Sequence, residues 1–203
     1  MSVGRHYFDS MYAGAADPWG FRSRWYEARK RALTIASLPR ERYARAFEPG
    51  CAIGVLTKAL AERCDEVLAW EVVPEAASRA RRDLTGADHV EVVHAAVPEE
   101  WPEGDFDLVV LSELLYYFDD TDLATVFART ARSLAGDGTV IAVHWRHPVD
   151  DHVRSGDDVH RALDAVPGLG RTVLHVERDF TLAVYERSDT RGPLSVAQRE
   201  GLA

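Results

Sequence analysis

The chain contains the stretch Phe47-Glu48-Pro49-Gly50-Cys51-Ala52-Ile53-Gly54. It predicts an apolar strand that ends at Glu48, a turn, and a helix that begins at Val55. Gly50 and Gly54 have no Cβ, so the backbone can turn tightly there and a ligand can approach it closely. The N–H groups of such a loop, and those of the first helical turn, are expected to face an anionic or polar ligand. The stretch therefore predicts a nucleotide-type binding loop, with an ordinary strand–helix turn as the alternative.

The spacing of the glycines distinguishes between classes of nucleotide. A dinucleotide fingerprint requires G-x-G-x-x-G, but counting from Gly50 the chain has Ala52 and Val55 where the next two glycines should stand. The observed pattern, E-x-G-x-A-x-G, resembles motif I of class I S-adenosylmethionine (SAM) methyltransferases. The resemblance implies that the cofactor is SAM and that the following residues contact it: Glu48, Gly50, Cys51, Ala52 and Gly54.

Composition limits the class of protein. A chain of 203 residues with 46% apolar and 28% charged residues is expected to be a soluble globular domain. The net charge of −9 argues against nucleic acid as a partner, because phosphate binding needs a basic surface. The sequence predicts no membrane span and no secretory signal. The two cysteines, Cys51 and Cys64, have neither the number expected for a disulfide framework nor the spacing of metal ligands. We therefore expect a cytoplasmic protein without a metal site. We also expect it to be a monomer or a homodimer.

Apolar runs and helical patterns alternate along the chain, which predicts βαβ units and a parallel sheet with helices on both faces. The predicted helices are Ser23–Ser37, Val55–Arg63, Pro74–Leu84 and Leu123–Leu134. The predicted strands are Arg45–Glu48, Val67–Glu71, Val90–His94, Phe106–Leu111 and Thr139–His144.

The C-terminal part of the pattern is different. Thr172–Val176 and Phe180–Tyr185 are β-rich runs separated by a gap too short for a crossover helix, so they predict an antiparallel hairpin. A parallel sheet that ends in such a hairpin resembles the three-layer α/β (Rossmann-like) fold of class I methyltransferases, which has seven strands. We expect one domain over 1–187, with an N-terminal lid and helices in 1–43, and a disordered tail over 188–203.

Several strand ends carry polar side chains. Nucleotide sites in such sheets lie at the carboxyl ends of the strands. Glu71 lies about 20 residues after the glycine loop, so Glu71 and the adjacent Val72 are expected to meet the ribose. Ala96 and Val97 follow the third strand, where methyltransferases usually have an acidic pair, so backbone groups there or the carboxylate of Glu99 would have to meet the adenine. Ser112 and Glu113 follow the fourth strand, beside the expected methionine moiety of SAM.

The N-terminal region is rich in aromatic residues: Tyr7, Phe8, Tyr12, Trp19, Phe21, Trp25 and Tyr26. Aromatic faces can shield a sulfonium ion and exclude water, so this segment is a candidate lid over the cofactor, with Trp25 as a contact. Arg29 is the candidate partner of the SAM carboxylate. We interpret Lys30 and Arg31 as solvated charges on the surface of a helix.

Histidines follow the fifth strand. His144 lies at the carboxyl end of that strand, where it could take a proton from an amine or a hydroxyl group. His160 follows in the next predicted helix, near Asp157. His144 is the preferred catalytic base, with Tyr117 and His160 as further candidates. A structural hydrogen bond is the alternative role for either histidine.

A narrower resemblance covers nearly all of residues 5 to 187. It rests on Asp17-Pro18-Trp19, Trp25-Tyr26-Glu27, Leu38-Pro39-Arg40-Glu41-Arg42-Tyr43, Glu48-Pro49-Gly50-Cys51-Ala52-Ile53-Gly54-Val55-Leu56-Thr57, Ser112-Glu113-Leu114-Leu115-Tyr116-Tyr117 and His144-Trp145-Arg146. These segments are similar to those of the nodulation protein S (NodS-like) methyltransferases.

The resemblance implies N-methylation of an amino sugar or deacetylated oligosaccharide, the small-molecule acceptor of that family. Two alternatives stay open at the level of sequence. One is methylation of a hydroxyl oxygen in a small molecule. The other is a protein that binds SAM without catalysis and acts as a binding partner.

Overall fold

The computed structural model describes residues 1–187 and 192–203. Its α-helices are α1 Arg5–Gly14, α2 Trp25–Ala36, α3 Val55–Ala61, α4 Pro74–Asp83, α5 Asp120–Ser133, α6 Gly156–Asp164 and α7 Val196–Arg199. Its strands are β1 Tyr43–Pro49, β2 Cys64–Glu71, β3 Val90–His94, β4 Phe106–Ser112, β5 Leu134–Trp145, β6 Leu169–Val176 and β7 Phe180–Arg187. A single 3₁₀ turn, Leu115–Tyr117, follows β4.

The strands form one seven-stranded sheet in the order β3-β2-β1-β4-β5-β7-β6. The pairs from β3 to β5 are all parallel. β7 is antiparallel to both of its neighbours, β5 and β6. The chain therefore has the class I methyltransferase fold, and the predicted C-terminal hairpin is confirmed. The strand order reverses at β1 and β4, and this reversal opens a crevice at the carboxyl ends of the strands.

The core lies on both faces of the sheet. Leu108, Val109, Val110 and Leu111 of β4 are all completely buried, as expected for a central strand covered on both sides. Alternate residues of β4 belong to opposite clusters, with Val109 and Leu111 on one face and Leu108 and Val110 on the other. Side chains that alternate along a strand in this way give the three-layer arrangement.

Several elements begin earlier than predicted, and the structure gives the reason for two of them. β5 starts at Leu134 rather than Thr139, because the Gly136-Asp137-Gly138 segment that was interpreted as a turn lies inside the strand. α5 starts at Asp120 rather than Leu123, because the Asp119 carboxylate caps it by accepting from the N–H groups of Thr121 and Asp122.

The tail was predicted to lack structure. In its described part, 192–203, it contains the short helix α7, capped by Ser195. Arg199 of this helix forms an ion pair with Glu186 of β7. The first part of the predicted tail, 188–191, lies outside the described residues. Among the helices that the structure describes, none is long and apolar enough to cross a membrane.

Candidate active site

A cavity of about 970 Å³ lies at the carboxyl ends of the parallel strands. Residues at or next to the ends of five strands line it: Glu48 from β1, Glu71 from β2, His94 from β3, Ser112 from β4 and Trp145 from β5. This is the edge of the sheet at which ligands bind in open α/β folds. The cavity is therefore the candidate active site.

The glycine loop forms one wall of the cavity. Gly50 and Gly54 have φ angles of +76° and +78°, and Ala52 also has a positive φ of 52°. A Cβ at position 50 would lie 3.3 Å from Leu114 Cδ1, so a larger residue would crowd the opposite wall. Gly50 thus permits the predicted turn, and a side chain at this position would narrow the cavity. Gly54 does not line the cavity, because its Cα faces Ala80 of α4.

The N–H groups of the loop are used within the protein. Those of Gly50 and Cys51 donate to the Trp70 carbonyl oxygen at 2.7 and 2.9 Å. The N–H of Ala52 donates to the Glu71 carboxylate at 2.8 Å. We expected these groups to face the ligand, and that expectation is wrong. The loop residues that line the cavity are Gly50, Cys51 and Ala52, and the N–H groups of all three are bonded within the protein.

Glu71 organises this wall. One of its oxygens accepts from the Ala52 N–H and the other from the Val73 N–H, each at 2.8 Å. The side chain is buried, and burial raises the pKa of its carboxyl although the backbone donors oppose the shift. A carboxylate oxygen has two acceptor sites, so each oxygen of Glu71 retains one for a ligand hydroxyl group. Val72 also lines the cavity beside it.

Glu48 lies deeper. Its carboxylate accepts from the Thr57 hydroxyl at 2.6 Å. Burial raises the pKa of Glu48 to about 7, with Thr57 opposing the shift. Glu48 and Glu71 thus place two buried carboxyl groups on the same cavity wall.

The end of β3 supplies the wall next to Glu71. Ala96 and Val97 line the cavity together with Glu99 and Glu100. The Ala96 N–H is 3.4 Å from the Glu100 carboxylate. Backbone groups and nearby carboxylates are therefore present where an adenine ring is expected, although Ala96 itself offers no polar side chain.

A group of charged side chains lies at the end of the cavity away from Glu71. The Lys30 ammonium donates to Glu113 at 2.6 Å and to Glu27 at 3.1 Å. The second oxygen of Glu113 accepts from the Tyr116 hydroxyl at 2.6 Å and from the Trp145 N–H at 2.9 Å. We call Glu27, Lys30 and Glu113 the anionic cluster, since two carboxylates surround one ammonium group.

Sequence reasoning identified Glu113 as a site residue but missed Glu27 and Lys30. Burial alone would lower the pKa of Lys30, but the carboxylates of Glu113 and Glu27 outweigh burial and raise it. Lys30 is 6% exposed and lines the cavity, so its interpretation as a solvated helix charge is wrong. The signal was the spacing of Glu27, Lys30 and Thr34, three polar residues that share the buried face of α2.

The N-terminal segment forms the aromatic side of the cavity. Tyr7 and Phe8 of α1 pack against Tyr117, with ring centroids 6.1 and 4.9 Å apart. The backbone N–H of Val3 donates to the Tyr117 carbonyl oxygen at 2.8 Å. The predicted lid therefore has a counterpart in the structure, and the aromatic residues of the segment that line the cavity are Tyr7, Phe8, Tyr12, Trp19, Phe21 and Tyr26.

Two predicted cofactor contacts lie elsewhere. Trp25 is 77% exposed and does not line the cavity, because it begins α2 on the solvent side. Arg29 forms a bidentate pair with Glu177 of the hairpin, at 2.7 Å on both sides. Arg31 lines the cavity instead, with its guanidinium 3.3 Å from the Phe21 carbonyl oxygen. Arg31 and Lys30 are thus the two cations of α2 that line the cavity.

The two predicted catalytic histidines form a pair behind the cavity wall. His144 is completely buried, and neither His144 nor His160 lines the cavity. His144 Nε2 accepts from the Leu115 N–H at 3.3 Å, so its Nδ1 carries the hydrogen and donates to His160 Nε2 at 3.3 Å. Burial lowers the pKa of both, that of His160 to about 4.

The prediction that His144 and His160 reach the acceptor is therefore corrected. Consecutive side chains of a strand point to opposite sides, and at the end of β5 it is Trp145 that faces the cavity. The pair holds the Leu115 backbone, and through it the 3₁₀ turn that carries Tyr116 and Tyr117. Tyr117 does line the cavity, and burial raises the pKa of its phenol well above the usual value.

Comparison with known proteins identifies the family. The family model described as "Nodulation protein S (NodS)" matches residues 9–155. The chain belongs to the NodS family. Nodulation protein S of Rhizobium tropici is 34% identical over 129 residues, which are 63% of this chain and 54% of that relative. Nodulation protein S of Sinorhizobium fredii NGR234 is 29% identical over 188 residues, 87% of this chain and 86% of the relative.

Solved structures agree with the fold of this NodS family member. The N-methyltransferase NodS of Bradyrhizobium japonicum WM9, in complex with S-adenosylhomocysteine (SAH), has a TM-score of 0.80 at 23% identity, covering 91% of this chain and 99% of that one. A putative methyltransferase of Pseudomonas syringae has a TM-score of 0.73 at 44% identity, covering 81% and 100%. The solved NodS of Bradyrhizobium japonicum is thus described as an N-methyltransferase, and its structure holds SAH.

No group of three or more metal-ligating side chains occurs within the described part of this NodS family chain. The polar side chains that line the cavity include Glu48 and Glu71 at one end and the anionic cluster at the other.

Proposed function

We propose that this NodS family protein transfers the methyl group of SAM to an amine nitrogen of an amino sugar or a deacetylated oligosaccharide. The observation that carries the proposal is the cavity itself, which runs from Glu71, past the glycine loop, to the anionic cluster. A cavity of about 970 Å³ has the volume of sites that enclose drug-sized ligands. It is large enough for SAM and one sugar unit.

The order of the strands suggests how SAM would lie. Its adenine would meet Ala96 and Val97 at the end of β3, and its ribose hydroxyl groups would donate to Glu71 at the end of β2. Its methionine moiety would then pass Gly50, Cys51 and Ala52 toward Ser112. Arg31 would pair with the cofactor carboxylate, since Arg29 is already paired with Glu177.

The reaction requires little chemistry from the protein. The lone pair of a neutral amine attacks the methyl carbon in line with the departing sulfur, and the C–S electron pair returns to sulfur to give SAH. The new N-methylammonium group then loses a proton to water. Most of the rate would come from holding nitrogen and methyl carbon in contact and in line.

The walls of the cavity support this role. Tyr7, Phe8 and Tyr117 exclude water from one side, while Tyr116 and His152 stack at a centroid distance of 3.8 Å on another. Tyr117 stays a neutral phenol because burial raises its pKa, so it can donate a hydrogen bond or fill space but does not act as a base near pH 7.

The test is turnover of SAM with glucosamine and with chitosan oligomers, followed by mass spectrometry and fragmentation. A methylamine product supports the proposal. A methyl ether would assign the protein to O-methylation, and binding of SAM without a product from any acceptor would assign it a non-catalytic role. N-acetylglucosamine is the matched control, because its nitrogen has no basic lone pair.

A further inference from the structure

The anionic cluster has a composition that needs explanation. It places two carboxylates around one ammonium group, and all three side chains line the cavity. Glu27 and Lys30 are buried, and Glu113 is mostly shielded from solvent. A charge held away from water is costly unless a partner neutralises it, and one ammonium group is shared here between two carboxylates.

The two carboxylates are not equally satisfied. Glu113 is held at both oxygens, by Lys30 on one side and by the Tyr116 hydroxyl and Trp145 N–H on the other. Glu27 has Lys30 as its one hydrogen-bond partner among the described residues, at 3.1 Å. Burial also raises the pKa of Glu27, although Lys30 opposes the shift. Glu27 is therefore the member of the cluster with free acceptor capacity.

The backbone is arranged to keep Glu113 in place. Its φ angle is +52°, in the left-handed region that residues with a Cβ rarely adopt. Such a conformation is unfavourable and persists only where the surroundings impose it. Three hydrogen bonds hold Glu113 in this conformation. Its N–H donates to the Val143 carbonyl oxygen at 2.8 Å, and its carboxylate accepts from the Tyr116 hydroxyl and the Lys30 ammonium.

The cluster lies away from the ribose end of the cavity. Glu71 ends β2, whereas Glu113 follows β4 and accepts from the Trp145 N–H at the end of β5. β2 and β5 are separated in the sheet by β1 and β4. The cluster would therefore lie beside the methionine moiety of bound SAM, at the end of the cavity where the methyl group is transferred.

We propose that the anionic cluster is the binding site for the acceptor's ammonium group. Glu27 is the carboxylate that accepts hydrogen bonds from its N–H groups, and Glu113 is the fixed counter-charge. The inference rests on the proposed function and adds the specificity-determining residues. An ammonium group supplies both the positive charge and the donors that the cluster lacks, whereas a hydroxyl group supplies no charge. Before transfer, the bound ammonium loses one proton to water, and the neutral amine left behind provides the attacking electron pair.

Binding to the SAH-loaded protein tests the proposal without requiring turnover. Glucosamine and N-acetylglucosamine are titrated separately into protein saturated with SAH, since the two sugars share a ring and differ in charge. We expect the wild-type protein to prefer glucosamine by about tenfold or more, the value of one charge-assisted hydrogen bond. We expect Glu27→Gln to lose this preference and to keep its SAH affinity within about twofold.

Glu75→Gln is the matched control, because Glu75 is an exposed carboxylate paired with Arg79 outside the cavity. It should retain the preference for glucosamine. If Glu27→Gln does not fold, Glu113→Gln replaces it with the same expected outcome. A preference that survives in the folded variant overturns the inference, as does its absence from the wild-type protein. A large loss of SAH affinity in Glu27→Gln also overturns it, because the cluster would then hold the cofactor.

The two proposals fail separately. If glucosamine binds through Glu27 but receives no methyl group, the proposed N-methylation is refuted and the ammonium-binding site is retained. If wild type and Glu27→Gln methylate amino sugars with equal efficiency, the proposed N-methylation stands and the ammonium-binding role of Glu27 is refuted.

Discussion

Glu71 accepts the backbone N–H of Ala52 at 2.8 Å and thereby ties the end of β2 to the glycine loop that follows β1. Its other oxygen accepts the N–H of Val73 at the same distance. The residue expected to hold the ribose is thus also the residue that fixes the loop. A change at this position alters the shape of the site as well as its contacts.

We expect Glu71→Ala to weaken SAM binding by about 1.5–3 kcal/mol, the range for hydrogen bonds to a charged group. Glu71→Gln should also be impaired, because its amide places an NH₂ donor against the N–H of either Ala52 or Val73. Calorimetric titration of SAM measures both variants, with Glu75→Gln as a control. A folded Glu71→Ala protein with normal SAM affinity would remove Glu71 from the cofactor site.

The second prediction separates the turn at Gly50 from its contact with the ligand. Gly50→Ala and Gly86→Ala both place a Cβ on a residue with positive φ, so each should cost about 1–2 kcal/mol of stability. Gly86 has open space around it and does not line the cavity, whereas Gly50 faces Leu114 across the cavity. Thermal melting should therefore show similar losses, while titration should show lost SAM affinity in Gly50→Ala alone. Equal SAM affinity in the two variants would contradict the close approach at Gly50.

The third prediction concerns the proton on Glu48, whose pKa is raised to about 7 by burial. The folded pKa lies above the usual value, so the proton is held in the native state up to about pH 7 and lost above it. SAM carries a positive sulfonium, which favours the ionised carboxylate. Binding at pH 7 should therefore release up to about half a proton. Calorimetry in two buffers of different ionisation enthalpy measures this release, and Glu48→Gln should abolish it.

The fourth prediction concerns the buried histidine pair. Burial lowers the pKa of His160 to about 4, below the unfolded value of about 6.5. The unfolded state therefore binds more protons than the native state between pH 4 and pH 6.5. The contribution of His160 to the free energy of unfolding is fully present above pH 6.5 and is lost as the pH falls to 4. The loss from His160 alone should approach about 3 kcal/mol. Denaturant unfolding at several pH values should show a smaller loss in His160→Gln than in the exposed control His6→Gln.

The fifth prediction follows from the position of His144 behind the wall. His144→Ala removes the acceptor of the Leu115 N–H and leaves a buried donor unpaired, at a cost of about 1–3 kcal/mol. We expect a lower melting temperature, while the pH profile of methyl transfer keeps its shape. The disappearance of an ionisation from that profile would restore His144 as the catalytic base.

The sheet was predictable because its signals are local. Each parallel strand is a short apolar run between turn residues, and the short gap between Val176 and Phe180 permits only a hairpin. The boundaries were less predictable. The cap supplied by Asp119 and the β-strand path through Gly136-Asp137-Gly138 depend on contacts with other parts of the chain.

The site was predictable where a strand end alone places a residue on the cavity, as it does for Glu48 and Glu71. It was not predictable where the direction of a side chain matters. His144 and Trp145 are adjacent at the end of β5, and only one of them can face the cavity. On α2, Arg29, Lys30 and Arg31 are consecutive, and the only signal that Lys30 is the one turned inward is its helical spacing from Glu27 and Thr34.

The N-terminal segment has a consequence for the rate of the reaction cycle. It is pinned across the cavity by the Val3–Tyr117 backbone bond and by the Ser2 hydroxyl, which accepts the Asp119 N–H at 2.9 Å. SAH bound in this cavity would lie behind this segment. We expect exchange of spent cofactor, rather than transfer of the methyl group, to set the turnover number, and an amino sugar that departs first to leave SAH behind as a slow-dissociating product.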